Sequence, residues 1–153
     1  MLNLPETGSR MTVVYQGIGK NIIFLENIRE CLTIITEEMN MPYIQVKTNR
    51  EVTKKEEIEL KTLLGKDISL LPGKSEAWLM VQVEDRQKLY FQGSDEACAI
   101  LEVKVYSEGD KIDYGPLTKA LTDKVSSLLK IKKDRIYIEY EETPNWGWAG
   151  SNF

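Results

Sequence analysis

The chain has 153 residues, of which 42% are hydrophobic and 29% are charged, a composition typical of one soluble globular domain. The net charge of −4, without a long run of lysine or arginine, argues against a nucleic-acid partner. The sequence has no histidine, which excludes Ser-His-Asp and Cys-His catalysis and the common histidine-based metal sites. Its two cysteines are too few for a disulfide framework, and it shows neither an apolar membrane-spanning run nor a leader segment. We therefore expect a cytoplasmic protein that does not bind membranes.

Residues 1–41 are interpreted as an N-terminal extension. Apolar residues recur there at three- and four-residue spacing, which predicts a packed helix over residues 22–39. These residues are Leu25, Ile28, Leu32 and Ile35.

A β-α-β pattern follows the extension. Residues 43–48 alternate apolar and polar side chains, as a half-buried strand does. Thr53, with Glu56 three residues later, predicts a helix that begins with a capping box. The apolar stripe of this helix consists of Leu60, Leu64, Ile68 and Leu71. Pro72-Gly73 ends the helix, and residues 77–84 are predicted to form the second strand.

The second half of the chain repeats this plan at offsets of 57 and 58 residues. Residues 99–106 are a predicted strand, Gly115-Pro116 begins a helix, and residues 135–141 form the closing strand. The helix stripe consists of Leu117, Leu121, Val125 and Leu128. Two β-α-β units predict an α+β fold, ferredoxin-like in layout, in which a four-stranded mixed sheet carries both helices on one face.

Strand alternation also assigns the two faces of this sheet. The face toward the helices is predicted to carry Ile44, Val46, Leu79, Val81, Leu101, Val103, Ile136 and Ile138. The opposite face is predicted to carry Gln45, Lys47, Gln82, Glu102, Lys104 and Glu139. A monomer would leave this polar face in water, whereas a closed ring of subunits would enclose it around a water-lined channel. The pattern alone does not choose between these arrangements.

Several short motifs occur in one order from residue 41 to the last residue. They are Met41 to Asn49, Gly73-Lys74, Phe91 with Gly93-Ser94, Glu96 to Ala99, Asp134 to Ile138, and Gly147-Trp148 with Phe153. Together they resemble the macrophage migration inhibitory factor family, of the phenylpyruvate tautomerase type. The resemblance covers residues 42–153 and implies a homotrimeric keto–enol tautomerase that needs no cofactor and acts on a small carboxylate-bearing substrate.

The resemblance assigns the role of general base to Pro42, which becomes the first residue when Met41 is removed. A secondary amine in an apolar pocket beside a cation has a pKa lowered towards neutrality, so it can move a proton alpha to a carbonyl. Lys74 is implied to bind the substrate carboxylate, and Tyr137 to reach the pocket from a neighbouring subunit. The aromatic wall and rim of the pocket are implied to be Trp78, Trp148 and Phe153.

Each of these residues also has a simpler explanation. Pro42 can merely begin an edge strand. Lys74 can be a solvated charge at a helix end, and Tyr137 a strand aromatic that packs locally. Trp148 and Phe153 can belong to a C-terminal segment that packs on its own sheet.

The sequence departs from the family at several positions of the implied pocket. Glu139 stands where the family has an asparagine, so an extra carboxylate would lie near that of the substrate and alter substrate preference. Larger aromatic residues that would narrow the pocket are Tyr43, Tyr106 and Trp146. Leu101 replaces the second cysteine of a thiol pair, which argues against a thiol oxidoreductase.

The chain upstream of Pro42 leaves two hypotheses open. With Met41 attached, the Pro42 nitrogen is a tertiary amide without a basic lone pair. Either translation begins at Met41 and the mature protein is an enzyme, or the extension is retained and the protein is a non-catalytic trimeric signalling or binding relative.

Overall fold

A four-stranded sheet, two helices and a short hairpin make up the fold in the computed structural model, which describes residues 41–109 and 111–152. The elements are β1 (Pro42–Thr48), α1 (Lys54–Asp67), β2 (Met80–Glu84), β3 (Ala99–Tyr106), α2 (Gly115–Leu129), β4 (Ile136–Thr143), β5 (Gly147–Trp148) and β6 (Ser151–Asn152). The helix predicted over residues 22–39 lies outside the described residues. Within the described ranges, neither helix is long and apolar enough to cross a membrane.

The order of the strands in the main sheet is β2-β1-β3-β4. Strand β1 is parallel to β2, β3 is parallel to β4, and β1 and β3 are antiparallel. In sequence, α1 connects β1 to β2 and α2 connects β3 to β4, and the two helices contact each other. The predicted α+β fold, with duplicated β-α-β units and a mixed sheet, is confirmed.

The core lies between the helices and one face of the sheet. The capping box predicted at Thr53 and Glu56 is present at the start of α1. The four predicted stripe residues are buried, but α1 ends at Asp67 rather than at Pro72-Gly73, so Ile68 lies in a 3-10 turn, Ile68–Leu70, and Leu71 follows that turn. In α2 the most buried residue of the last turn is Leu129 rather than Leu128, which is only partly buried. From the strands, the core receives Ile44, Val46, Leu101, Val103 and Ile136, with Leu79, Val81 and Ile138 packed against it. The predicted helix-facing set is therefore confirmed.

The opposite face of the sheet is lined by polar side chains that pair across the strands. Lys47 forms an ion pair with Glu102, and Lys104 forms one with Glu141. Hydrogen bonds join Gln45 to Glu84 and Tyr43 to Gln82. Glu139 lies beside Glu102 in the register of β3 and β4. The predicted polar face is confirmed, and much of its charge is compensated within the chain.

Strand β2 begins later than the sequence predicts. The strand was expected over residues 77–84, but residues Glu76–Trp78 form a 3-10 turn that closes with a hydrogen bond from Leu79 N to Glu76 O. The Glu76 side chain packs on Gly65 of α1. A Cβ atom added at Gly65 would lie only 2.5 Å from the Cδ atom of Glu76. The turn thus lies against the helix, and only Met80–Glu84 joins the sheet.

Two polar side chains hold the segment between β2 and β3, residues 85–98, here called the β2–β3 loop. The Asn49 amide nitrogen donates to the carbonyls of Leu89, Asp95 and Glu96, and its oxygen accepts a hydrogen bond from the Cys98 nitrogen. Arg135, predicted to begin the last strand, instead ends a 3-10 turn. Its guanidinium donates to the carbonyls of Ser94, Glu96 and Ala97.

Candidate functional site

The candidate site is the end of the sheet where β1 begins. Pro42 is the first residue of β1, is buried, and pairs with Val105 in β3. Met41 is also buried, and its carbonyl accepts a hydrogen bond of 3.2 Å from the Tyr106 nitrogen. With Met41 attached, the Pro42 nitrogen belongs to a tertiary amide and is not a base.

Lys74, in the segment between α1 and β2, lies at the same end of the sheet. Pro72 and Gly73 follow the first helix, and Gly73 takes a φ of 71°, a conformation that glycine adopts without strain. The Lys74 side chain is then buried, and its ammonium donates a hydrogen bond of 2.8 Å to the Tyr106 carbonyl. The simpler explanation of Lys74, a solvated charge at a helix end, is therefore wrong.

The structure thus brings three of the predicted site residues together. Tyr106 is the point of contact, because its nitrogen bonds to Met41 and its carbonyl bonds to Lys74. The Tyr106 ring is buried, and its hydroxyl donates to Glu108 at 2.9 Å. Its hydrogen bond to Glu108 raises the pKa of Tyr106, so the hydroxyl stays protonated.

Burial and one carboxylate set the charge state of Lys74. Burial lowers the pKa of Lys74, because a desolvated ammonium is disfavoured, and the nearby Glu142 carboxylate partly opposes this effect by raising it. A buried cation that has lost hydration is a favourable partner for an anionic ligand group.

Glu142 was not identified from the sequence, although a signal for it is present. It follows Ile136, Ile138 and Tyr140 on the side of β4 that faces the helices, where an apolar residue is expected. Its side chain accepts a hydrogen bond of 2.9 Å from the Tyr114 hydroxyl. Glu142 is exposed at the end of the strand, so its carboxylate stays in contact with water while it raises the pKa of Lys74.

Two of the residues predicted to form the aromatic wall, Trp78 and Trp148, contact each other. Trp78 lies in the 3-10 turn four residues after Lys74, and Trp148 lies in the C-terminal hairpin. The two indole rings meet edge to face with their centroids 5.2 Å apart. The hairpin therefore packs on this turn, whereas Phe153 lies outside the described residues.

Tyr137 and Glu139 do not join the site within one chain. Tyr137 pairs with Ile100, whereas Pro42 pairs with Val105 further along the same strand, a separation of roughly 17 Å at about 3.4 Å per residue. Tyr137 is 60% exposed and packs edge to face on Phe91, with the ring centroids 4.7 Å apart. Glu139 lies on the polar face, beside a shallow cavity lined by Glu102, Val103, Lys104 and Glu141.

This fold, with a proline opening the first strand and a buried lysine beside it, is that of a tautomerase-type subunit. The family model described as "Macrophage migration inhibitory factor (MIF)" matches residues 41–153. The chain therefore belongs to the macrophage migration inhibitory factor family.

Individual relatives agree with this assignment. The macrophage migration inhibitory factor homolog of Brugia malayi is 31% identical over 119 residues, which covers 74% of this chain and 99% of that protein. The macrophage migration inhibitory factor of Meriones unguiculatus is 30% identical over 92 residues, 59% of this chain and 80% of that protein. Among solved structures, MIF2 of Leishmania major superimposes with a TM-score of 0.65 at 25% identity, covering 74% of this chain and 97% of that one.

Proposed function

We propose that the protein is a keto–enol tautomerase of the phenylpyruvate tautomerase type when its N-terminal residue is Pro42. The proposal divides the chain into an extension, residues 1–41, and a catalytic domain, residues 42–153. The observation that carries it is the buried Lys74 ammonium, which lies at the sheet end where β1 begins. Family membership supports it further, as does the contact between Trp78 and Trp148, since Trp78 follows Lys74 by four residues.

The mechanism follows from the chemistry of these groups. A free Pro42 amine next to a cation, in a site with little water, has a lowered pKa and is unprotonated near neutral pH. Lys74 holds the carboxylate of the substrate, which presents the carbon alpha to its carbonyl to the amine. The amine removes a proton from that carbon and delivers it to the carbonyl oxygen, which gives the enol. This delivery returns the amine to its unprotonated state, so the proline is regenerated in each turnover and no cofactor is consumed.

The proposal includes a homotrimer. One chain holds Pro42 and Tyr137 roughly 17 Å apart along β3, at about 3.4 Å per residue, so Tyr137 can contribute to a Pro42 site only from a second chain. Strands β2 and β4 are the edges of the sheet, and open edges favour pairing with another subunit. In a closed ring, Tyr137 and Glu139 of one subunit would approach Lys74 of the next.

The second candidate is a non-catalytic trimeric binding protein, and one observation favours it. Met41 is buried and its carbonyl is hydrogen-bonded to Tyr106. The sheet therefore accommodates a residue on the N-terminal side of Pro42, and an attached chain would abolish catalysis without disturbing the strand.

The experiment that decides between these candidates compares two purified proteins. One starts at Met1 and the other at Pro42, and both termini are verified by intact mass. We expect turnover of phenylpyruvate by the short form only, with both forms trimeric by sedimentation. If the full-length protein is equally active, the amine mechanism is wrong. The base would then have to be sought among Lys74, Tyr137 and Glu139, of which the Glu139 carboxylate is the first choice.

A further inference from the structure

Glu142 lies in the same row of the sheet as Pro42. It pairs with Val105 across β3 and β4, and Val105 pairs with Pro42 across β1 and β3. Residues paired directly across strands have side chains on the same face, here the face toward the helices. Tyr106, whose carbonyl accepts the hydrogen bond from the Lys74 ammonium, follows Val105 in β3 and pairs with Thr143, the residue after Glu142. Glu142 and the Lys74 ammonium therefore lie at the same end of the sheet, and the carboxylate raises the pKa of Lys74.

A stack of aromatic rings orients this carboxylate. Tyr114 precedes α2 and lies on Tyr140 with the ring centroids 4.0 Å apart and the planes inclined by 23°. The Tyr140 hydroxyl is itself hydrogen-bonded to Thr118 in α2 at 2.8 Å. Burial, with Glu142 adding to it, raises the pKa of Tyr114, so its hydroxyl remains a donor throughout the physiological range. Tyr114 thus holds one oxygen of Glu142 in place.

We propose that Glu142, oriented by Tyr114, is a specificity-determining residue that competes with the substrate carboxylate for Lys74. This inference rests on the proposed role of Lys74 as the carboxylate-binding group. A fixed anion near the Lys74 cation offsets part of the attraction of that cation, so a substrate with one carboxylate is held less tightly than by a lysine without that anion. A second carboxylate near the first would add repulsion from Glu142 without a compensating cation. The site therefore selects monocarboxylates over dicarboxylates.

The test uses the protein that starts at Pro42 and the ligand phenylacetate, a carboxylate that lacks the keto group. Binding is followed by calorimetry. A unit charge several Å away in a partly solvated site changes a dissociation constant about threefold to tenfold, so Glu142→Gln is expected to bind phenylacetate tighter by that factor. Phenylsuccinate, a dicarboxylate, should gain more than phenylacetate, whereas the neutral phenylacetamide should not change. Tyr114→Phe, which keeps the ring stack but frees the carboxylate, should fall between wild type and Glu142→Gln.

Two further variants guard against a purely structural effect. Glu142→Asp keeps the charge and should restore wild-type affinity. Glu57→Gln, in the first turn of α1, makes the same change in net charge at the far end of the helix and should have no effect. Nuclear magnetic resonance of labelled lysine gives a readout without ligand, because removal of Glu142 should lower the pKa of Lys74.

The outcomes separate this inference from the proposed function. An active enzyme in which Glu142→Gln leaves both the affinity and the Lys74 pKa unchanged overturns the inference alone. A protein without tautomerase activity, in which Glu142→Gln still tightens phenylacetate binding, supports the inference and overturns the proposed reaction.

Discussion

Replacement of Lys74 gives the sharpest test of how the site recognises its substrate. Lys74 is 7% exposed, and its ammonium donates a 2.8 Å hydrogen bond to the Tyr106 carbonyl. A charge-assisted hydrogen bond to a ligand contributes about 1.5–3 kcal/mol, which corresponds to a loss of affinity of roughly tenfold to 150-fold. We therefore expect KM for phenylpyruvate to rise by that factor in Lys74→Met, which keeps most of the side-chain volume and removes the charge.

The same variant should also change the pH dependence of turnover. A cation beside the Pro42 amine lowers the pKa of that amine, so its removal should raise the amine pKa. Because the unprotonated amine is the base, the rise of kcat/KM with pH should move to higher pH in Lys74→Met. The assay is a pH series of initial rates, with the protein that starts at Pro42.

Lys66→Met is the matched control, because Lys66 is exposed in the last turn of α1. It should leave both KM and the pH profile unchanged. An unchanged KM in a folded Lys74→Met protein would refute the reasoning, and so would an equal loss with a phenylpyruvate ester, which has no carboxylate.

Three more predictions concern the assembly and the fold. Sedimentation of residues 42–153 should give a trimer, and a monomer at all concentrations would contradict the proposed ring. Leu121→Ala truncates a side chain that is 1% exposed and should lower the free energy of unfolding by about 2–5 kcal/mol, as measured by urea denaturation. A decrease below about 1 kcal/mol would mean that Leu121 does not lie in the core. A hydrogen bond from the Arg50 side chain, and to a lesser extent those from Thr53, lower the pKa of Glu56 from 4.5 to about 2. The contribution of Glu56 to stability is therefore present above pH 4.5 and is lost as the pH falls towards 2. In Glu56→Gln, the urea concentration at the unfolding midpoint should fall less steeply as the pH is lowered below 4.5. A fall as steep as that of the wild type would rule out this contribution.

Most of the fold was predictable from the sequence because its signals are local. A period of two in the strands and of three to four in the helices places most of the core residues, and the Thr53–Glu56 capping box marks the start of α1. The start of β2 was not predictable in this way. Residues 77–79 are compatible with a strand, but Glu76–Trp78 form a 3-10 turn in which Glu76 contacts Gly65 of α1.

The candidate site was predictable only in part, because its electrostatics depend on contacts between distant segments. Nothing near Lys74 in the sequence indicates burial, since the carbonyl that receives its hydrogen bond belongs to Tyr106, on another strand. Similarly, Glu142 gains its partner from Tyr114, and the two lie on different elements. The resemblance supplied Pro42 and Lys74, whereas the structure adds Glu142, whose partner Tyr114 the sequence did not indicate.

The way in which Asn49 holds the β2–β3 loop has a consequence for the ageing of the protein. One amide group satisfies three carbonyls and one backbone nitrogen. Deamidation would replace the donating nitrogen by an oxygen, and the new carboxylate would then repel the same three carbonyls. The loop carries Phe91, which packs on Tyr137, whereas Pro42 and Lys74 lie at the opposite end of the sheet. Slow chemical damage at Asn49, mimicked by Asn49→Asp and detected as faster hydrogen exchange in residues 89–97, would therefore loosen the Tyr137 end of each subunit while the Pro42 end stays intact.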